Sequence, residues 1–226
     1  MSKIKVLTKI FKANEELGST NREKFREKGI FAINLMSSPG SGKTSILEKI
    51  IKKMKDDFNI AVIEGDIYTA KDAERIDALG VQTIQINTQG ACHLDSSMIK
   101  EALEELDLES VDLLIIENVG NLVCPAEFEV GEDVKISVLS IPEGSDKPSK
   151  YPLMFEKSSA IILNKMDLLD FTNFNKEEFY GDINSINANA KVFETSCMRN
   201  EGLEEVCKWV KERIEDKKHF YDIYKA

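Results

Sequence analysis

Seven short runs rich in β-branched and aliphatic residues recur along the chain, at 30–36, 60–64, 81–86, 111–117, 136–141, 160–163 and 192–195. Several are nearly continuous rather than alternating, the pattern of parallel strands buried on both faces. Between most of them the apolar spacing changes to the helical period, over 45–54, 70–79, 97–106 and 203–214. This alternation predicts an α/β fold, a doubly wound, mostly parallel sheet flanked by helices. Ahead of the first strand, 6–28 reads as one or two charged helices with Ile10, Leu17 and Phe25 as apolar anchors and a break near Gly18. The expected layout is a short N-terminal helical extension over 1–29, one α/β domain over 30–216, and a frayed tail over 217–226.

Composition narrows the function classes. At 226 residues, 42% hydrophobic and 31% charged, the chain is long enough for one packed core. A net charge of −10 argues against a nucleic-acid ligand, because affinity for phosphate backbones rests on clustered Lys and Arg. No window approaches the roughly 20 apolar residues of a membrane helix, and the Lys-rich opening has no apolar run behind it, so a cytoplasmic protein is expected. Cys92, Cys124, Cys197 and Cys207 do not make a secreted disulfide framework, which leaves metal or redox roles open.

The first strand runs into Ser37-Ser38-Pro39-Gly40-Ser41-Gly42-Lys43-Thr44 and then a helical stretch that begins with Ser45. This is a P-loop with one departure, Ser37 where the pattern asks for Gly. Such a loop aims the amides of Gly40, Ser41 and Gly42 and a helix N-terminus at phosphates, Lys43 reaches the β/γ oxygens, and the Thr44 hydroxyl ligates Mg²⁺. The bland alternative is a Gly/Ser turn between strand and helix.

Asn164-Lys165-Met166-Asp167 follows the sixth apolar run. A carboxylate there can accept from both N1–H and the exocyclic amine of guanine, so Asp167 selects GTP over ATP while Asn164 braces the loop. Asn and Asp also favour any turn after a strand, which keeps a plain turn as the alternative. Ser196 and Cys197, past the last strand, resemble the loop that meets the base from its other side.

Asp66 and Glu117 end strands on the expected phosphate side, where either can hold Mg²⁺ or cap the next helix. Glu117-x-x-Gly120 occupies the place of a GTPase switch, its carboxylate near Mg²⁺ and the Gly120 amide near the γ-phosphate. No Gln follows Gly120, so slow intrinsic hydrolysis is expected, with Asp66 or Asp72 orienting the attacking water.

Gly90-Ala91-Cys92-His93-Leu94 and Glu117-Asn118-Val119-Gly120-Asn121-Leu122-Val123-Cys124-Pro125 remain. Two thiolates and an imidazole suit Zn²⁺ or Ni²⁺ better than Mg²⁺, although a lone Cys is more often a buried core residue. Taken in order with the P-loop, Asn-Lys-x-Asp, Glu143-Gly144-Ser145-Asp146-Lys147-Pro148 and Lys150-Tyr151-Pro152, these segments resemble the HypB family over nearly the whole chain. HypB proteins are nickel-insertion GTPases of nickel-iron hydrogenase maturation. The resemblance implies a SIMIBI-type P-loop fold, GTP and GDP as nucleotides, Mg²⁺, and Ni²⁺ or Zn²⁺ on Cys92, His93 and Cys124 at a nucleotide-dependent homodimer interface. It also implies a HypA-type accessory protein and a hydrogenase large subunit as partners, and a nucleotide-facing role for Lys147 near the subunit boundary. The N-terminus carries none of the Cys or His that many HypB proteins use for tight nickel binding, so nickel storage is not expected. Two other functions fit parts of the pattern: a P-loop small-molecule kinase, and a metal-binding scaffold with a non-catalytic nucleotide site.

Overall fold

The structure, a computed structural model, describes residues 2–225, with side chains described for 11–221. Seven strands form one parallel sheet: β1 Phe31–Ser37, β2 Ile60–Asp66, β3 Gln82–Asn87, β4 Leu113–Glu117, β5 Val134–Ser140, β6 Ala160–Asn164 and β7 Lys191–Glu194. Their order is β3-β2-β4-β1-β5-β6-β7, all pairs parallel. All seven apolar runs became strands, shifted by no more than two residues at either end.

The helices are α1 Ser2–Lys28, α2 Lys43–Met54, α3 Lys71–Asp77, α4 Ser96–Ala102, α5 Cys124–Glu127, α6 Lys147–Lys150, α7 Pro152–Glu156, α8 Lys176–Asn187 and α9 Leu203–Lys225. The strand pleat sends Phe31, Ile33 and Leu35 to one face, against Leu47 and Ile51 of α2 and Trp209 and Val210 of α9. Ala32, Ala61, Ile63 and Leu114 face the other way, toward Leu94, Ile99 of α4 and Phe25 of α1. Helices on both faces explain why central strands β1 and β4 are buried at every position.

Two expectations need correction. The N-terminal segment has no break near Gly18: α1 is one continuous helix. Glycine there serves close approach, since a Cβ would lie 3.0 Å from Ser96 Oγ and 3.5 Å from the Glu129 carbonyl. Phe25 is fully buried and Leu17 half-buried, while the side chain of Ile10 lies outside the described residues. Much of the anchoring is polar. Asn14 Nδ2 donates to the Glu129 carbonyl at 2.8 Å and its Oδ1 accepts from Ser96 N, while Asn21 Nδ2 donates to the Ser96 carbonyl at 2.9 Å.

The tail expected to fray from 217 is instead helical to Lys225. Lys217 Nζ meets both carboxylate oxygens of Asp133, at 2.6 and 2.7 Å, and Lys218 pairs with Asp112, tying the helix back to the sheet.

Candidate nucleotide and metal site

The parallel sheet fixes where chemistry can happen, because strand ends and helix starts gather along one edge. The loop from β1 to α2 enters the helix through Gly42 at φ 99°, a left-handed conformation, and a Cβ there would sit 2.6 Å from Asn164 Nδ2. Gly40 is also left-handed, at φ 77°. Lys43 Nζ donates to Ser37 Oγ at 2.9 Å, so the residue that departs from the P-loop pattern forms a resting contact for the lysine. The Ser38 hydroxyl donates to Glu143, which also accepts from the Ser140 amide.

A cavity of about 490 Å³ opens over this loop, lined by Gly40 to Ser45, Glu64, Asp66, Asp72, Glu117 and Gly120 among others. Thr44 Oγ1 donates to Glu117 Oε1 at 2.8 Å. Glu117 and Glu64 are Cα partners across β4 and β2, both nearly fully buried. Glu64 Oε2 and Glu117 Oε2 have no hydrogen-bond partner. Burial and the neighbouring Glu117 push the Glu64 carboxyl up to about 10, and burial also raises Glu117. Orphaned buried carboxylate oxygens beside a P-loop threonine fit a hard, oxygen-seeking cation such as Mg²⁺. Glu64 was not singled out in the sequence, although a lone acid closing the apolar run Ala61-Val62-Ile63 was a signal.

Asp66 Oδ1 accepts from the Tyr68 and Thr69 amides at 2.8 and 2.7 Å, shaping the loop after β2. Asp72 pairs with Arg75 at 2.8 Å, which in turn reaches Glu48 of α2. Both carboxylates line the cavity, each with its Oδ1 engaged in these contacts. Lys147 is not among its lining residues, and its Nζ lies 5.7 Å from the Tyr151 ring centroid.

The loop after β6 grips the phosphate loop from behind. Asn164 Nδ2 donates to the Ser41 carbonyl at 3.0 Å, and its Oδ1 accepts from Thr195 Oγ1 at 3.2 Å. Lys165, at φ 61°, sends Nζ to the Gly40 carbonyl at 2.6 Å. Asp167 Oδ1 accepts from Ser196 Oγ, which joins the loops that follow β6 and β7. Cys197 lies half-buried beside them, its thiol pushed up by burial, while Cys207 sits in the core of α9 at about 11.

Cys92, His93 and Cys124 gather their ligand atoms within 4.8 Å of one another. Cys92 Sγ lies 3.1 Å from Cys124 Sγ and 3.7 Å from His93 Nδ1. Burial lowers His93, favouring the neutral imidazole a metal needs, while burial and the adjacent Cys92 raise Cys124. The His93 ring stacks on Phe128, with centroids 3.9 Å apart. Asn121 staples the two segments, donating to the Cys92 carbonyl at 3.3 Å and accepting from Val123 N at 2.8 Å. Among the described residues this is the only such cluster. Gly120 lies against Pro39, where a Cβ would come within 3.0 Å of backbone, so the segment leading to Cys124 touches the phosphate loop.

Fold and site together define a P-loop nucleotide-binding protein of the SIMIBI type. The family model "CobW/HypB/UreG, nucleotide-binding domain" matches residues 31–194. The chain is 46% identical to the hydrogenase maturation factor HypB of Rhizobium leguminosarum bv. viciae, over 92% of this chain and 69% of that protein. It is 42% identical to the hydrogenase/urease maturation factor HypB of Helicobacter hepaticus, over 93% and 88%. The crystal structure of HypB from Helicobacter pylori in complex with nickel superposes with a TM-score of 0.86 at 39% identity, covering 90% of this chain and 96% of that one. The chain belongs to the HypB hydrogenase maturation factors. The signal recognition particle receptor FtsY of Elizabethkingia anophelis, 15% identical with a TM-score of 0.52 over 74% of this chain and 57% of its own, shares the fold alone.

Proposed function

We propose that this chain is a GTPase metallochaperone of the cytoplasm: it hydrolyses GTP to GDP and phosphate and uses nucleotide state to hold and release Ni²⁺ or Zn²⁺. The observation that carries this reading is the proximity of two chemistries on one stretch of backbone. Glu117 meets Thr44 of the phosphate loop, and Cys124, seven residues on, meets Cys92.

Asp167, joined to Ser196, accepts from the guanine edge, while the amides of 40–45 and Lys43 cradle the phosphates. Thr44, Glu117 and Asp66 are the residues that hold Mg²⁺, which when bound neutralises charge on the phosphate oxygens. Asp66 or Asp72 orients the attacking water, and the Gly120 amide senses the γ-phosphate. Slow turnover follows, since no Gln follows Gly120 to orient that water.

Two thiolates and one imidazole leave a tetrahedral metal short of a ligand. A second copy of the chain completes it across a symmetric interface, with Lys147 near the same boundary. Delivery to a hydrogenase large subunit, with a HypA-type accessory protein, follows from membership of the maturation factors.

Sedimentation with a non-hydrolysable GTP analogue, GDP or no nucleotide, each with and without Ni²⁺, tests the reading. Dimer mass appearing only with the triphosphate supports it. A monomer under every condition, or binding of ATP in preference to GTP, overturns it.

A further inference from the structure

Chain continuity carries a displacement from Glu117 to Cys124, but Cys92 and His93 stand on a different segment, before α4. Two side chains of the 117–124 segment reach them: Asn121, which donates to the Cys92 carbonyl at 3.3 Å, and the buried Asn118. Asn118 Oδ1 accepts from the Leu94 amide at 2.9 Å and from the Val119 amide at 3.0 Å. Leu94 directly follows His93, and both Asn118 and Leu94 are buried, at 1% and 0% exposure. One carboxamide oxygen therefore bridges the residues flanking the two chemistries.

The other end of Asn118 is also fixed. Its Nδ2 donates to Asn34 Oδ1 at 3.1 Å, and Asn34 Nδ2 donates to Glu132 Oε1 at 3.4 Å. Glu132 pairs with Lys135 at 3.4 Å, and Lys135 Nζ donates to the carbonyls of Ala126 and Phe128, each at 3.0 Å. Those carbonyls close the short helix that begins with Cys124, and Phe128 carries the stacked His93 ring. Asn118 thus reaches one half of the metal cluster directly and the other through three buried side chains.

The Leu94 side chain supplies a pivot. It packs over Gly65 so closely that a Cβ on that glycine would lie 2.7 Å from Leu94 Cγ. A shift of Asn118 then pulls the Leu94 amide while its side chain stays held, which rotates His93 and Cys92 rather than carrying the whole segment along.

We propose that Asn118 is the positioning residue that transmits nucleotide state to the Cys92–His93 half of the metal site, through its hydrogen bond to the Leu94 amide. The proposal rests on the reading that nucleotide and metal occupancy are linked in this chain. Allosteric coupling is a ratio of affinities, and typical ratios are about 5- to 150-fold.

The test is Ni²⁺ affinity of the full chain, titrated with GDP and with a non-hydrolysable GTP analogue, for wild type, N118A and N118D. Wild type is expected to differ at least about fivefold between the two nucleotides. N118A is expected to bring the two affinities within about twofold of each other, since the acceptor for the Leu94 amide is gone. N118D retains an acceptor for the Leu94 amide but loses the bond to Asn34, and is expected to give a ratio between those of wild type and N118A. A wild-type ratio in N118A, or a ratio lost equally in N118D, overturns the role of Asn118 and leaves the linkage itself standing. A ratio of one in wild type overturns the linkage and this proposal with it. Should N118A fail to fold, hydrogen exchange of segment 90–95 in metal-free wild type decides: it is expected to change when GDP is replaced by the analogue, and an invariant rate overturns the proposal.

Discussion

Glu64 and Glu117 stand side by side on adjacent parallel strands, in register, with 3% and 2% of their surface exposed and one unpartnered oxygen each. Two carboxylates cannot both ionise cheaply in such a place, and burial raises both; a cation held there would take over the role of a shared proton.

That proton has a consequence for stability. Burial and Glu117 raise Glu64 to about 10 in the folded chain, so its contribution to stability is fully present below the unfolded value near 4.5 and is lost as pH rises toward about 10. Melting temperatures in EDTA without nucleotide, from pH 6 to 9, should therefore fall more steeply for wild type than for Glu64→Gln, which is neutral throughout. Parallel curves would show that Glu64 titrates normally.

Nucleotide choice should depend on Asp167. Removing a charged acceptor costs about 1.5–3 kcal/mol, so Asp167→Ala should weaken GDP binding by about 10- to 150-fold with ATP binding unchanged. Asp167→Asn replaces an acceptor by a donor and should favour a xanthine over a guanine nucleotide. Competition against a fluorescent GDP would reveal both effects, and unaltered GDP affinity in either variant would remove Asp167 from base recognition.

Metal binding should weaken as pH falls, because thiols must lose protons to ligate and burial beside Cys92 raises Cys124. Ni²⁺ titrations at pH 6 and 8 should show looser binding at the lower value, with protons released on binding. Cys92→Ser and Cys124→Ser should each abolish sulfur-to-nickel charge-transfer absorption, or reduce it by about half if one thiolate suffices. Persistence of the full band in both variants would place the nickel elsewhere.

The N-terminal helix should be part of the cooperative fold. Phe25 is fully buried against the sheet, and truncating such a ring costs about 3–5 kcal/mol. Urea denaturation of Phe25→Ala should show that loss in a single transition. A loss below about 1 kcal/mol would mean that α1 melts independently of the sheet.

The strands were legible because a parallel sheet covered on both faces demands runs of apolar residues, and β1, β2, β4 and β6 comply almost without interruption. The P-loop, the base loop and the Cys-His pair were legible because their residues are neighbours in sequence. What sequence could not display was polar partnering at long range. Asn14 finds Glu129 across 115 positions, and Asn118 finds Asn34 across 84. Gly18 looked like a helix breaker because its propensity is local, whereas its reason, the approach of Ser96, is not. Lys217 looked like a tail residue because Asp133, which holds it, lies 84 positions away.

Asn164 and Lys165 hold the Ser41 and Gly40 carbonyls, so two hydrogen bonds join the loop after β6 to the phosphate loop. On the proposed function, a diphosphate and a triphosphate with the same base would meet that joined pair of loops alike. On the proposed function, the part of that discrimination that can move falls to the opposite bank of the cavity, where Gly120 rests on Pro39. That bank is the one whose backbone continues into a sulfur donor, so on the proposed function the spent and unspent forms of the nucleotide would be told apart beside the metal ligands.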